Sequence, residues 1–556
     1  MGIKYRVKHL GISLGLIFTF VFTQGASANT NLGFHEVAST VMINSLQTQP
    51  QNSFLKQLYT RLFFVPVWID EDSPSSFSKE LFRLIKEDKT LEISSKLYQD
   101  TVRLEQRAQE IYGSNGTVSQ KVDLEFKISQ LYKGYADYAL YGSINWGAFQ
   151  DRLYNLKAAD IHAGWVTYKP KFGPMTLLEN AALSGSLSSL FAQAVPKEYR
   201  YKELREALIK YLDLRQNGGW PQVPIKETLK PGETSDVMPL LRERLRITGD
   251  YGSCSSKAAN IYDACLKEAI VHFQKRHGLD AEGVIGKETI AALNTPIEKR
   301  IEQIRLNLDR IKWLHERNSK RHIMINIPAF TLFFEEDRAL RQQMKVITGT
   351  RKNPTPIFSN TVQTIVLNPH WNVPKSIIQK EMIPKLLKNP NAMADDNIEI
   401  RTGWGKDAAK VYGGSVDWRR YRYSKVVPFR FAQIPGEGNA LGKVKFLFPN
   451  EFSVYMHDTP TKNLFNRNVR AFSHGCIRLS QPIELLETFS TFNDTVDFEK
   501  AQERLEGVDK AFLYLTEQVP VDVIYLTAYV DYDGVLQFRN DIYGYDKMQL
   551  QSFRKW

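Results

Sequence analysis

Near His322 the spacing of apolar residues changes period, and that change divides the chain into a helical part and a β part. Upstream, segments such as Ser76 to Lys89 and Tyr199 to Arg215 set apolar residues three and four apart with charges between them, the spacing of an amphipathic helix. Downstream, Ile323, Ile325 and Ile327 alternate with Met324 and Asn326. Lys345 to Thr348, Thr364 to Leu367, Lys443 to Phe448 and Ser453 to His457 continue as strand-like runs. The pattern predicts an α+β multidomain protein whose strands gather in a mostly-β domain over 321–527.

Within the helical part, Gly218-Gly219-Trp220-Pro221 and the loop-like Leu229 to Asp236 break the periodicity. They separate a helical scaffold, 29–235, from a small three-helix module, 236–298. In that module Val237, Leu240, Leu241, Leu245 and Ile247 share one helical face, and Leu266 to Arg276 and Lys287 to Asn294 supply two more helices. Glu298 to His315 is periodic again at Ile301, Ile304, Leu308 and Ile311, which predicts a linking helix (domain span 299–320) that joins modules by packing. Inside the β domain, 377–428 is a long polar stretch with a helical start, the kind of insertion that forms a lid or capping subdomain. Residues 528–556 remain as a C-terminal tail.

Residues 1–28 read as a secretory signal: Lys4, Arg6 and Lys8, an apolar run from Leu10 to Phe22, then Ala26-Ser27-Ala28. That run is shorter than the roughly twenty residues of a bilayer span. Cleavage is therefore expected, with an uncleaved anchor as the alternative, and no transmembrane span follows. The expected location is the periplasm. The net charge of +12 suits an acidic polymer, while export argues against nucleic acid as a partner. The three cysteines are an odd number for an exported protein: Cys254 and Cys265 can bridge, which leaves Cys476 alone.

Cys476 lies in Ser473-His474-Gly475-Cys476-Ile477-Arg478, nineteen residues after His457. Acyl transfer needs a nucleophile, a base within hydrogen-bond reach and donors for the oxyanion. An imidazole can activate a thiol, and Gly475 lets the amides of His474, Gly475 and Cys476 approach an acyl oxygen. Each piece alone has a plainer reading, since a single thiol is commonly a small buried hydrophobe and a single histidine is commonly structural. His457, Asp458, His474 and Cys476 are also zinc-ligand types, but no HExxH or paired-cysteine spacing accompanies them, so no metal and no cofactor is expected.

The joint pattern resembles the L,D-transpeptidase catalytic (YkuD) family, whose signature is a His followed by Ser/Thr-His-Gly-Cys-x-Arg/Asn. Asn368-Pro369-His370-Trp371-Asn372-Val373-Pro374, Lys445-Phe446-x-Phe448-Pro449-Asn450 and His457-Asp458-Thr459-Pro460 are similar to its large YcbB-type branch. Ala269-x-x-x-Phe273-Gln274, Gly278-Leu279, Gly283-x-Ile285-Gly286 and Thr289 resemble a peptidoglycan-binding domain. The resemblance implies Cys476 as nucleophile and His457 as base. Asp458 orients the histidine through its carboxylate or its carbonyl, and Ser473 and Arg478 act in support. Tyr455 and Trp371 are candidates for the substrate groove, or else ordinary core aromatics. The implied reaction is 3→3 cross-linking of peptidoglycan tetrapeptide stems through a thioester, with carbapenems acylating the same thiol and cell-wall synthesis enzymes as candidate partners. The competing reading is a catalytically inactive wall-binding scaffold.

Overall fold

The computed structural model describes residues 33–254, 259–316, 319–405 and 407–556, so the expected signal segment, 1–28, lies outside the described residues. The helical expectation holds upstream, with helices at Ser76–Glu87, Lys96–Gly113, Val118–Tyr141 and Tyr201–Gln216 among others. Capping is local chemistry: Ser75, Ser95 and Thr117 each accept an amide of the first turn, and Thr117 with Gln120 forms a reciprocal capping box. No helix among the described residues is long and apolar enough to cross a membrane.

The strands run β1 (Arg321–Asn326), β2 (Thr331–Glu336), β3 (Ala339–Gly349), β4 (Phe358–Leu367), β5 (Trp371–Asn372), β6 (Ile398–Arg401), β7 (Arg430–Gln433), β8 (Val444–Leu447), β9 (Met456–His457), β10 (Ala471–Ser473), β11 (Ile477–Leu479), β12 (Ala511–Ile524), β13 (Ala528–Val530) and β14 (Leu536–Phe538). Nine of them form one sheet in the order β10-β3-β11-β9-β8-β4-β12-β1-β2. A further β2–β3 pairing closes eight of the nine into a barrel, with β10 as an extra edge on β3. Closure removes the free edges that an open sheet would expose. The barrel core holds Ile323, Ile325, Ile365, Phe446, Met456, Ile477 and Leu513, together with Leu485 and Phe489 of the helix Pro482–Ser490.

Two features depart from the simple division by span. Ile144, Trp146, Phe149 and Trp165, inside the expected scaffold, pack into the barrel core, and Trp165 bridges to Ile357. The expected tail does likewise: Tyr543 and Tyr545 sit in that core, and the Trp556 indole donates to Ser143 Oγ at 2.8 Å. The linking helix, Ile297–Ile311, packs as its stripe predicted, and its buried Arg310 pairs with Asp546 at 2.7 Å.

The small module has its own core of Leu241, Leu245, Leu266, Ile270, Phe273, Ile285 and Leu293. Its motif glutamine is a structural clamp: Gln274 accepts the Gly283 amide at 3.0 Å and donates to the Val284 carbonyl at 2.8 Å and to Thr289 Oγ1 at 3.1 Å. Cys254 and Cys265 are disulfide-bonded, with Cα atoms 5.8 Å apart. The expected capping span, 377–428, lies within a compact unit built on the small sheet β5-β7-β6, with a separate core of Val373, Ile383, Leu386, Ile398, Trp418 and Phe431.

Candidate active site

β9 and β11 run parallel, with Met456 opposite Ile477 and His457 opposite Arg478. Just before this ladder the Ile477 amide donates to the Tyr455 carbonyl at 3.1 Å, setting Tyr455 beside Cys476. On the other side of β9, Lys445 of β8 lies opposite His457 and Phe446 opposite Met456. Side chains alternate between the faces of a strand. Phe446, Met456 and Ile477 point into the barrel, where they are buried, so Lys445, Tyr455, His457, Cys476 and Arg478 share its outer face. A slip of one residue on either strand would send the thiol and the imidazole to opposite faces.

His457 is buried, and its Nδ1 donates to the main-chain carbonyl of Asp458 at 2.5 Å. A carbonyl oxygen can only accept, which fixes the proton on Nδ1 and leaves Nε2 as the acceptor of the neutral ring. The Asp458 carboxylate is engaged elsewhere. It accepts the Lys443 amide at 2.9 Å, the Thr459 amide at 2.7 Å and the Lys462 ammonium at 2.5 Å. Of the two groups Asp458 offers, the carbonyl is the one that holds the ring.

Burial pushes the His457 pKa down to about 3, and the charges of Arg478 and Lys445 add to it against the Asp458 carbonyl. Burial likewise raises the Cys476 thiol, opposed by the Tyr455 amide, Lys445, the Tyr455 hydroxyl and Arg478. The resting pair is therefore a thiol and a neutral imidazole.

The loop before the sulfur is built by two hydroxyls. Ser473 Oγ donates to the Cys476 carbonyl at 2.5 Å and accepts the Gly475 amide at 3.1 Å. Thr355 Oγ1 donates to the Gly475 carbonyl at 2.8 Å and accepts the Gly349 amide at 2.8 Å. Gly475 has φ +114°, a conformation that favours glycine. Of the three amides expected to face an oxyanion, Ser473 engages that of Gly475.

His474 reaches the cap, where its Nε2 lies 2.7 Å from Glu381 Oε1. Glu381 belongs to a wide turn, Ile378–Met382, whose Lys380 pairs with Asp160 at 2.5 Å. The Arg478 Nε is buried without a hydrogen-bond partner. The Tyr455 ring lies 5.6 Å from that of His457, and the Lys445 ammonium sits 3.5 Å above it. Trp371 is half-buried against the cap core. Glu381 and Thr355 were not singled out from the sequence, and Lys445 entered only as part of a motif, although strand alternation from Phe446 was a signal for its place on the outer face. Among the described residues no group of three or more His, Cys, Asp or Glu is placed to hold a metal ion.

Residues 320–497 match the family described as "L,D-transpeptidase catalytic domain" (YkuD), 53–208 that described as "Scaffold domain", and 234–293 that described as "Putative peptidoglycan binding domain". A protein of Haemophilus influenzae described as "Putative L,D-transpeptidase" is 30% identical over 274 residues, covering 48% of this chain and 54% of its own length. The chain thus spans about half of that relative. Among solved structures, an L,D-transpeptidase from Stackebrandtia nassauensis is 16% identical (TM-score 0.22), covering 53% of this chain and 94% of its own. One from Mycobacterium smegmatis is 14% identical (TM-score 0.18), covering 37% and 59%. At such scores these two likenesses carry no weight beside the family matches.

Proposed function

We propose that this chain, whose residues 320–497 match the L,D-transpeptidase catalytic domain family, cross-links peptidoglycan through a thioester on Cys476. The observation that carries the reading is the shared outer face of Cys476 and His457, with the imidazole held by the Asp458 carbonyl so that Nε2 stays free to accept.

In the proposed reaction the Cys476 sulfur attacks the carbonyl of the third stem residue, meso-diaminopimelate, as its proton passes to His457 Nε2. The amides of His474 and Cys476 steady the oxyanion, with the Tyr455 hydroxyl beside the sulfur. The bond to the terminal D-Ala breaks, and its nitrogen takes the proton from the imidazolium. A side-chain amine of diaminopimelate on a second stem then attacks the thioester, yielding a 3→3 link and restoring the thiol. A carbapenem acylates the same sulfur.

The cap excludes water from the thioester, a role supported by the contact between Glu381 and the residue two before the nucleophile. The disulfide of the small module supports work in an oxidising compartment, the periplasm. The test is incubation with purified tetrapeptide muropeptides and mass analysis of products. Cross-linked dimers are expected from the wild type and not from Cys476→Ala; identical product profiles from the two overturn the reading.

A further inference from the structure

The outer face of the barrel that bears Cys476 carries three cations and the adjoining cap sheet a fourth, and among the described residues no carboxylate pairs with any of the four. Arg478 shares the face beside His457, and its Nε is unsatisfied. Lys445 follows one strand on, opposite His457. Lys445 lies opposite Val366 of β4, and Val366 opposite Phe512 of β12. Phe512 and Tyr514 therefore extend the same face, while Leu513 and Leu515 between and after them join the interior. Lys510, two residues before Phe512, continues the row. At strand spacings of about 4.8 Å the step from β8 to β12 is roughly 10 Å. Arg430, on the cap sheet across the strand pair from Arg401, donates to Asn372 Oδ1 at 2.9 Å, five residues beyond Leu367, which lies opposite Ala511 beside Lys510.

An aromatic face stands where each of three counter-ions would be. Lys445 lies 3.5 Å from the Tyr455 centroid, Lys510 4.4 Å from Phe512, and Arg430 5.4 Å from Trp404. Such contacts hold a cation in place without neutralising it. Two of these rings are open to solvent, Trp404 72% and Phe512 48% exposed, while Tyr455 is half-buried. Arg401 differs: it is paired with Glu399 at 2.8 Å. Lys445, Lys510 and Arg430 thus lie along one surface with no carboxylate among the described residues paired to any of them. Burial holds Lys445 down to about 8, with Lys510 adding to it, and Lys510 is in turn lowered by burial and Arg430, so the three cations sense one another.

We propose that Lys445, Lys510 and Arg430, continuing from Arg478, form an anion track that receives the non-reacting carboxylates of a stem peptide and so aligns its scissile carbonyl on Cys476. This rests on the reading of the chain as a stem-peptide transpeptidase and names what that site recognises. Carboxylates fit each step: an ammonium or guanidinium supplies a charge-assisted hydrogen bond, and the flanking rings give apolar floor for the peptide. The track would set substrate affinity and register without touching the reacting bond.

The experiment compares two donors, a tetrapeptide muropeptide with free carboxylates and the same compound with its non-reacting carboxylates amidated, on the full-length protein. In the wild type, amidation is expected to raise KM by about tenfold, the scale of one charge-assisted contact, with kcat within about twofold. Lys510→Gln and Arg430→Gln are expected to show that rise on the free acid and little further change on the amide, and Lys510→Arg to restore it. Raising the salt should narrow the difference between donors. Equal KM for both donors in the wild type, or equal losses on both in the variants, overturns the track while leaving the transpeptidase reading in place. Turnover of neither donor, with no mass added at Cys476, overturns the reading itself and the track's ligand with it.

Discussion

His457 Nδ1 lies 2.5 Å from the carbonyl oxygen of Asp458, a main-chain partner that holds the ring in a single tautomer with Nε2 as acceptor. Because that partner is backbone, a side-chain change at Asp458 leaves the hydrogen bond itself intact. Asp458→Asn is expected to act mainly through the loop anchored by the Lys443, Thr459 and Lys462 contacts. It should cost less than tenfold in kcat/KM, whereas His457→Gln should cost roughly 10³-fold or more. Steady-state kinetics on both variants checks the contrast.

The depressed imidazole has a pH consequence. With a pKa of about 3, His457 is neutral and able to accept a proton throughout pH 5–8, and the raised thiol does not ionise in that window. The pH profile of kcat/KM should therefore show no inflection near 6.5, the ordinary imidazole value. A clear acid limb there, abolished by His457→Gln, would contradict the neutral-pair description.

The His474–Glu381 contact ties the cap to the nucleophile loop, yet both side chains are 48% exposed, so its contribution to stability is under about 1 kcal/mol. Glu381→Ala should leave the melting temperature nearly unchanged and raise the ratio of hydrolysed to cross-linked product. Unchanged partitioning would remove the cap from control of water.

Away from the site, His322 is buried between Asp522 (Nε2–Oδ2 2.6 Å) and Glu335 (Nδ1–Oε2 3.4 Å). Although burial alone would lower it, these two carboxylates raise its pKa to about 9. The folded value lies above the unfolded one, about 6.5. The linked stabilisation is therefore full below pH 6.5 and is lost as pH rises through about 9. Urea unfolding should give a lower midpoint at pH 10 than at pH 6. His322→Ala, which leaves the buried Asp522 without its cation, should cost roughly 3–5 kcal/mol at pH 6.

Reducing Cys254–Cys265 reopens a loop whose cysteines are eleven residues apart. The chain-entropy estimate for such a loop is about 3 kcal/mol. Hydrogen exchange in dithiothreitol should show faster opening confined to the module around Phe273 and Ile285, with the barrel unaffected.

How far the sequence reached follows from which interactions are local. The helices and strands were legible because their periodicity is written in neighbouring residues, as at Ile301, Ile304, Leu308 and Ile311, or at Ile323 and Ile325. Cys476 and His457 stood out in the sequence because residue type and spacing coincide. Barrel closure was not, because β2–β3 and the parallel β1–β12 pairing are settled only when distant strands meet. Trp146 and Trp165 were not singled out in the sequence, because only tertiary packing sends them into the barrel. Glu381 lies at the helical start of the capping stretch, ninety-three residues before its partner His474, so local pattern carries no sign of the contact. Lys445 and Lys510 look like any strand charges until register aligns them. Asp458 shows the finest limit: its identity was visible, but which of its two oxygen-bearing groups held the imidazole was a matter of geometry.

Intact-protein mass spectrometry after incubation with a tetrapeptide donor, without acceptor, tests the central claim most directly. The account predicts a wild-type adduct equal to the donor minus D-Ala, mapped to Cys476 and absent from Cys476→Ala. Cross-linked product formed by Cys476→Ala at the wild-type rate, with no adduct on either protein, would contradict it.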